Sequence, residues 1–231
     1  MPECRTPDRP PLRSGLYLIT PDDPDGERLL ARTLPLLPFA SCLQLRNKVL
    51  DADALRAVGV RLRDACAEAG VVFIVNDDPR LAHALAADGA HLGEHDGAIA
   101  EARNLLGDAT IIGASCYDDL QHARDAVVAG ADYVAFGAFF PSTTKPGARR
   151  ATIDLLRDSA RLGVPRVAIG GITPDNARPL VDAGADLVAV ISGVFDAADP
   201  VAAAAAYRAC FTRPFPAPSA HAQGAARETP E

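Results

Sequence analysis

Arg46, Lys48 and Lys145, together with Asp77 and Asp96, are the residues of this 231-residue chain whose types and places could do chemistry as a group. Each stands at or just past the end of a short apolar run. Gln44-Leu45-Arg46-Asn47-Lys48 closes one run, Asn76-Asp77-Asp78 a second, Gly93-Glu94-His95-Asp96 a third and Ser115 a fourth, while Phe140-Pro141-Ser142-Thr143-Thr144-Lys145-Pro146 follows a fifth. Cations beside paired carboxylates suit a Mg²⁺-bridged pyrophosphate. Mg²⁺ takes one or two protein carboxylates with phosphate oxygens and water, and Arg and Lys add charge-assisted hydrogen bonds of about 1.5–3 kcal/mol each. Gly170-Gly171-Ile172-Thr173 and Ser192-Gly193 end two further runs and point to a second anion site built from backbone N–H groups.

Taken singly, each has an ordinary structural reading: an Asp after a strand commonly caps a helix, a Pro-flanked Lys is solvated, and Gly-Gly is a tight turn. Their joint role requires a fold that gathers the ends of seven runs at one mouth. The chain supplies one. Eight apolar runs, at 15–20, 40–45, 71–75, 89–92, 110–114, 132–136, 166–169 and 187–191, alternate with helical patterns. Gly70, Gly89, Gly107, Gly130, Gly163 and Gly184 stand at helix-to-strand turns, where a left-handed glycine would stop each helix. Ala87-Asp88-Gly89-Ala90, Ala129-Gly130-Ala131-Asp132 and Ala183-Gly184-Ala185-Asp186 are near copies, the mark of a repeated βα unit. Asp51, Thr173 and Asp199 read as N-caps, the last two followed by Pro, and Pro179 should kink or shorten the seventh helix. The pattern predicts an α/β fold, a single (β/α)8 TIM barrel over residues 13–211, with Pro- and Ala-rich tails at 1–12 and 212–231. A doubly wound open sheet is the runner-up, weakened because Thr20-Pro21-Asp22-Asp23 stands where G-x-G-x-x-G would follow the first strand.

Composition removes several function classes. Lys and Arg number 23 against 30 Asp and Glu, a formal charge of 23 − 30 = −7, and no Lys/Arg-rich run appears, which disfavours nucleic acid and anionic membrane surfaces. The longest apolar stretches fall far short of the roughly 18 residues of a membrane span, and no secretory signal is visible. Cys4, Cys42, Cys66, Cys116 and Cys210 are odd in number and widely spaced, as expected of reduced thiols in a cytoplasmic protein. His91 lies within a strand and should be packed in the barrel. His95 could be a surface or supporting group, and Cys116 reads as a packing residue because no base is placed beside it.

LYLIT, QLRNK, FIVNDD, HLGEHD, IIGAS, DYVAFGAFFPSTTK, AIGGIT and VAVIS, in this order and spacing over residues 14–211, resemble the thiamine-phosphate synthase family. The resemblance implies a transferase that joins hydroxymethylpyrimidine diphosphate to hydroxyethylthiazole phosphate, giving thiamine phosphate and pyrophosphate. It implies that Gln44, Leu45, Arg46, Asn47, Lys48 and Asn76 meet the pyrimidine diphosphate, with Arg46 and Lys48 on its phosphates. Asp77 and Asp96 would hold Mg²⁺, and Ser115 and Lys145 would also meet the pyrophosphate. Ser142, Thr143 and Thr144 would meet the thiazole, and Gly171, Ile191 and Ser192 its phosphate. Such enzymes work dissociatively, so no protein nucleophile is expected. The chain departs from the family pattern at Asn47, where Glu is frequent, and at His95, where an acidic residue is usual. A thiazole tautomerase, a non-catalytic barrel that senses a thiamine precursor, and a sugar-phosphate enzyme are the alternatives; homo-oligomer formation is left open.

Overall fold

A computed structural model describes residues 11–94, 96–141 and 149–211. All eight predicted strands form: β1 (Gly15–Ile19), β2 (Ala40–Leu45), β3 (Val72–Asn76), β4 (Gly89–Leu92), β5 (Ile111–Tyr117), β6 (Tyr133–Phe136), β7 (Arg166–Ile169) and β8 (Leu187–Val190). Consecutive strands pair in parallel and β8 returns to β1, with Gly15 opposite Leu187, closing the barrel. The open-sheet alternative is thereby excluded. Helices follow the strands in turn: α1 (Gly26–Thr33), α2 (Ala52–Ala69), α3 (Pro79–Leu85), α4 (Ile99–Leu106), α5 (Leu120–Val128), α6 (Ile153–Asp158), α7 (Pro174–Asp182) and α8 (Ser192–Phe195), with α9 (Pro200–Ala209) after them. Among the described residues no helix is long and apolar enough to cross a membrane. Of the expected tails only Pro11 and Leu12 are described, and Leu12 packs on the barrel interior.

The strand period of two divides each apolar run between two cores. Tyr17, Ile19, Cys42, Val72, Ile74, Ile111, Tyr133, Val167 and Leu187 fill the barrel. Their alternates, such as Leu16, Leu18, Leu43, Phe73, Val134 and Val188, pack outward against the helices. Side-chain carboxylates start most of the longer helices: Asp25, Asp51, Asp78, Asp119 and Asp199 each accept a backbone N–H of the first turn, at 2.7–3.1 Å. At Thr173 the link is reversed, the Asn176 side chain accepting from the Thr173 N–H at 2.8 Å.

The repeated turn has a defined job at the opposite end of the barrel. Asp88 accepts the N–H of Phe73 at 2.8 Å, Asp132 that of Ile112 at 2.8 Å, and Asp186 that of Arg166 at 2.9 Å. Each carboxylate thus clasps the start of the strand before its own.

Two local expectations change. Gly89 is not a helix stop: α3 ends on Ala86, itself left-handed at φ 49°, and Gly89 opens β4. A Cβ there would meet the Ile111 carbonyl oxygen at 2.2 Å and Ile74 Cδ1 at 2.6 Å, so the glycine is required by the close approach of the two flanking strands. α7 runs through Pro179 to Asp182, because Ala177 and Leu180 on either side of the proline are fully buried and hold that turn in place.

Candidate active site

The C-terminal ends of the strands surround a cavity of about 380 Å³. Its floor includes Tyr17, Gln44, His91 and Ser115; one rim carries Arg46, Lys48, Asn76, Asp77 and Asp96, and the opposite rim Gly170, Gly171, Ile172, Ile191, Ser192 and Gly193. The fold therefore brings together Gln44, Arg46, Lys48, Asn76, Asp77, Asp96, Ser115, Gly171, Ile191 and Ser192, as expected. Two expected contacts are not at the mouth. Leu45, next to inward-facing Gln44 on a strand, faces the opposite way into the sheet–helix core. Asn47 turns back into the loop, donating to the Asp23 carbonyl at 2.8 Å and accepting from the N–H groups of Val49 (3.0 Å) and Leu50 (2.8 Å). Ser142, Thr143, Thr144, Lys145 and His95 lie outside the described residues, although Pro141 and Arg149, which flank that loop, are described.

The cationic rim is held by the turn after β1. Asp22 accepts from Arg46 Nη1 at 3.1 Å and from the Lys48 backbone N–H at 2.8 Å, while Thr20 Oγ1 accepts from the Arg46 N–H at 2.8 Å. Beneath them Asp23 is buried against Arg28, whose Nη2 donates at 2.6 Å and Nε at 3.0 Å. Those Arg28 bonds hold the Asp23 carboxyl down at about 2, from 3.8. A depressed carboxylate contributes stability above its unfolded value and loses it as pH falls through the folded one. Asp23→Asn is therefore expected to destabilise the fold on the order of 2 kcal/mol near pH 7. In thermal melts the gap to wild type should shrink as pH drops from about 4 toward 2; a gap independent of pH would refute the ion pair as its source.

On the same rim, Asp77 sits after β3 in the left-handed region at φ 62°, its N–H bonded to the His91 carbonyl at 2.8 Å. Lys48 Nζ lies 3.7 Å from its carboxylate. Burial, and then the facing Asp96 carboxylate, push the Asp77 carboxyl up. Asp96 is fixed by the Gly93 N–H, which donates to Oδ2 at 2.7 Å. The left-handed backbone, which Asp tolerates better than most residues, thus brings the Asp77 carboxylate beside that of Asp96.

The opposite rim is a peptide surface. The carbonyl of Gly170 accepts from the Phe140 N–H at 3.0 Å and that of Gly171 from Asn176 Nδ2 at 3.2 Å. Both carbonyls are thus engaged within the loop, and Gly170, Gly171 and Ile172 line the cavity. Gly171 is left-handed at φ 63°, and a Cβ would meet the Pro141 carbonyl oxygen at 2.3 Å.

The floor is polar and buried. Tyr17 Oη lies 2.8 Å from Tyr133 Oη, which lies 2.8 Å from His91 Nδ1; His91 Nε2 lies 2.9 Å from Ser115 Oγ. Burial drives the His91 imidazole down to about 4 and the Cys116 thiol up to about 12, so neither is a charged catalyst near neutrality, and Cys116 is the packing residue expected. Sequence reading passed over Tyr17, Tyr133 and Asp22. The period of two placed both tyrosines inside the barrel, which was the signal available.

A family model described as thiamine monophosphate synthase matches residues 16–194. The thiamine-phosphate synthase of Xanthomonas campestris pv. campestris (strain 8004) is 60% identical over 199 residues, covering 86% of this chain and 96% of that one. The chain belongs to the thiamine monophosphate synthase family. As a member of that family it is an enzyme, a transferase. The thiamine-phosphate synthase of Azoarcus sp. (strain BH72) is 57% identical over 203 residues, 85% of this chain and 97% of that one. A solved thiamine phosphate pyrophosphorylase from Pyrococcus furiosus superposes with a TM-score of 0.76 at 34% identity, covering 86% of this chain and 96% of that chain. Matches of this extent take in β1 through α8, so the rims described above lie within the part shared with the family.

Proposed function

We propose that this mouth joins hydroxymethylpyrimidine diphosphate to hydroxyethylthiazole phosphate, forming thiamine phosphate and releasing pyrophosphate. The observation that carries the reading is the facing pair Asp77 and Asp96 with Lys48 and Arg46 beside it, opposite a rim that carries Gly170, Gly171, Ile172 and Ser192. The pair fits Mg²⁺, which takes one or two protein carboxylates beside phosphate oxygens: two close carboxylates with a cost to being ionised together. When bound there, Mg²⁺ supplies positive charge to the diphosphate oxygens. Arg46, Lys48 and Lys145 add theirs, aimed at charge that grows as the C–O bond to the pyrimidine methylene breaks and its electron pair leaves with pyrophosphate. The thiazole nitrogen then donates its lone pair to the methylene carbon. Gly171, Ile191 and Ser192 hold the thiazole phosphate so that this nitrogen stays in line. No protein base is needed in these steps.

The reading places the enzyme in the cytoplasm, acting on small molecules rather than nucleic acid. The free thiols of Cys42, Cys66, Cys116 and Cys210 support a reducing compartment.

The test is pyrophosphate release and thiamine phosphate formation with both substrates, with each omitted, and with and without Mg²⁺. Mg²⁺-dependent coupling requiring both substrates is expected. Interconversion of thiazole tautomers without Mg²⁺ and without coupling would replace the proposal with an isomerase. Within the same assay Gly171→Ala should raise KM for the thiazole phosphate about tenfold, because the added Cβ moves the peptide rim; an unchanged KM would remove the rim from that role.

A further inference from the structure

We propose that Gln44, Tyr17, Tyr133 and His91 form a one-way hydrogen-bond relay that fixes the Ser115 hydroxyl as a donor into the mouth. The proposal rests on the reading that Ser115 meets the diphosphate, and assigns positioning roles to two tyrosines and a histidine.

The direction follows from counting protons. Gln44 Nε2 donates to Tyr17 Oη at 3.0 Å, and an amide nitrogen can only donate. Tyr17 must therefore send its own proton elsewhere, and Tyr133 Oη lies 2.8 Å away in a fully buried setting. Having accepted, Tyr133 donates to His91 Nδ1 at 2.8 Å. That nitrogen must be bare, so the ring proton sits on Nε2, which donates to Ser115 Oγ at 2.9 Å. The serine lone pair is then occupied from below, and its hydrogen turns to the cavity that Ser115 lines.

The opposite polarity is poorer at its far end. If Ser115 donated to His91, each proton would shift one place down the chain, and Tyr17 Oη would accept from both Tyr133 and Gln44. Its own hydrogen, on a side chain only 1% exposed, would then be left with the weakly accepting sulfur of Cys42 in place of an oxygen. Gly113 shows how closely the relay is packed. A Cβ there would lie 2.0 Å from Tyr133 Cζ and 2.3 Å from its hydroxyl oxygen, so the glycine makes room for the central member.

Two measurements on the full chain test this. Long-range ¹H–¹⁵N NMR near neutral pH, with His91 assigned by the signal lost in His91→Gln, should show the Nε2–H tautomer; an Nδ1–H tautomer would overturn the relay. A double-mutant cycle gives the catalytic readout and does not require His91→Gln to fold. Tyr133→Phe keeps the ring but removes the proton given to Nδ1, and is expected to lower kcat about tenfold with KM changed less than twofold. In the Ser115→Ala background the same substitution should change kcat less than twofold. Losses that multiply in the double variant would mean that Tyr133 acts by packing, and would overturn the proposal. The two layers fail differently: kcat unchanged in Ser115→Ala would overturn the diphosphate contact of Ser115, while the tautomer alone decides the order of the hydrogen bonds.

Discussion

Asp96→Asn is expected to lower kcat for pyrophosphate release by about 10²–10³ at saturating substrates. The substitution is close to isosteric, and its carbonyl oxygen can still accept the Gly93 N–H that now reaches Oδ2 at 2.7 Å, so the loop after β4 keeps its anchor. What is lost is one of the two neighbouring carboxylates on that rim of the mouth. Raising Mg²⁺ should recover part of the lost rate, because a site with one carboxylate binds the ion more weakly but in the same place. Wild-type turnover at ordinary Mg²⁺ would remove Asp96 from the metal site and, with it, the main support for a Mg²⁺-bridged diphosphate.

Lys145→Ala is expected to cost two to three decades of its own, on the order of 10²–10³ in kcat, with KM for either substrate moved far less. The split matters. A lysine that merely attracts a diphosphate lowers KM, whereas one aimed at charge that appears only as the C–O bond breaks acts on kcat. Single-turnover measurements with both substrates bound would separate the two, and near-wild-type turnover in the variant would assign the leaving-group role to Arg46 and Lys48 alone.

Much of the scaffold was legible because strand and helix signals repeat in phase. Runs such as 40–45, 89–92 and 166–169 became β2, β4 and β7 at the same residues, and Asp51 and Asp199 cap helices as their positions promised. The site was legible in outline for a related reason: a parallel barrel delivers every strand's C-terminal end to one face, so sequence position alone assigns Asp77 and Asp96 to a common mouth. Single side chains were harder. The stretch from Gln44 to Lys48 reads as one motif, yet strand alternation sends Leu45 to the outer core, and loop closure takes Asn47 for the Asp23 carbonyl. Tyr17 and Tyr133 look aliphatic in company with their neighbours, and only the fold shows their hydroxyls meeting 2.8 Å apart across 116 residues. Gly89 resembled its counterparts in the repeat, but what it avoids is Ile111 on the adjacent strand, a contact that no local pattern encodes.

The three clasps of Asp88, Asp132 and Asp186 bear on how such a molecule assembles. Each reaches back only 15 to 20 residues, from Asp88 to Phe73, from Asp132 to Ile112 and from Asp186 to Arg166. Neighbouring strands are thereby brought into step within a single short stretch of chain, before any distant partner is available, and the entropy of closing such a loop is small. The seam between β1 and β8, where Gly15 meets Leu187, is the pairing that spans almost the whole barrel and has no such local guide. Loop-closure entropy therefore favours an order in which the clasped pairs β3–β4, β5–β6 and β7–β8 settle before the β1–β8 seam, so that the mouth is complete only when that seam closes.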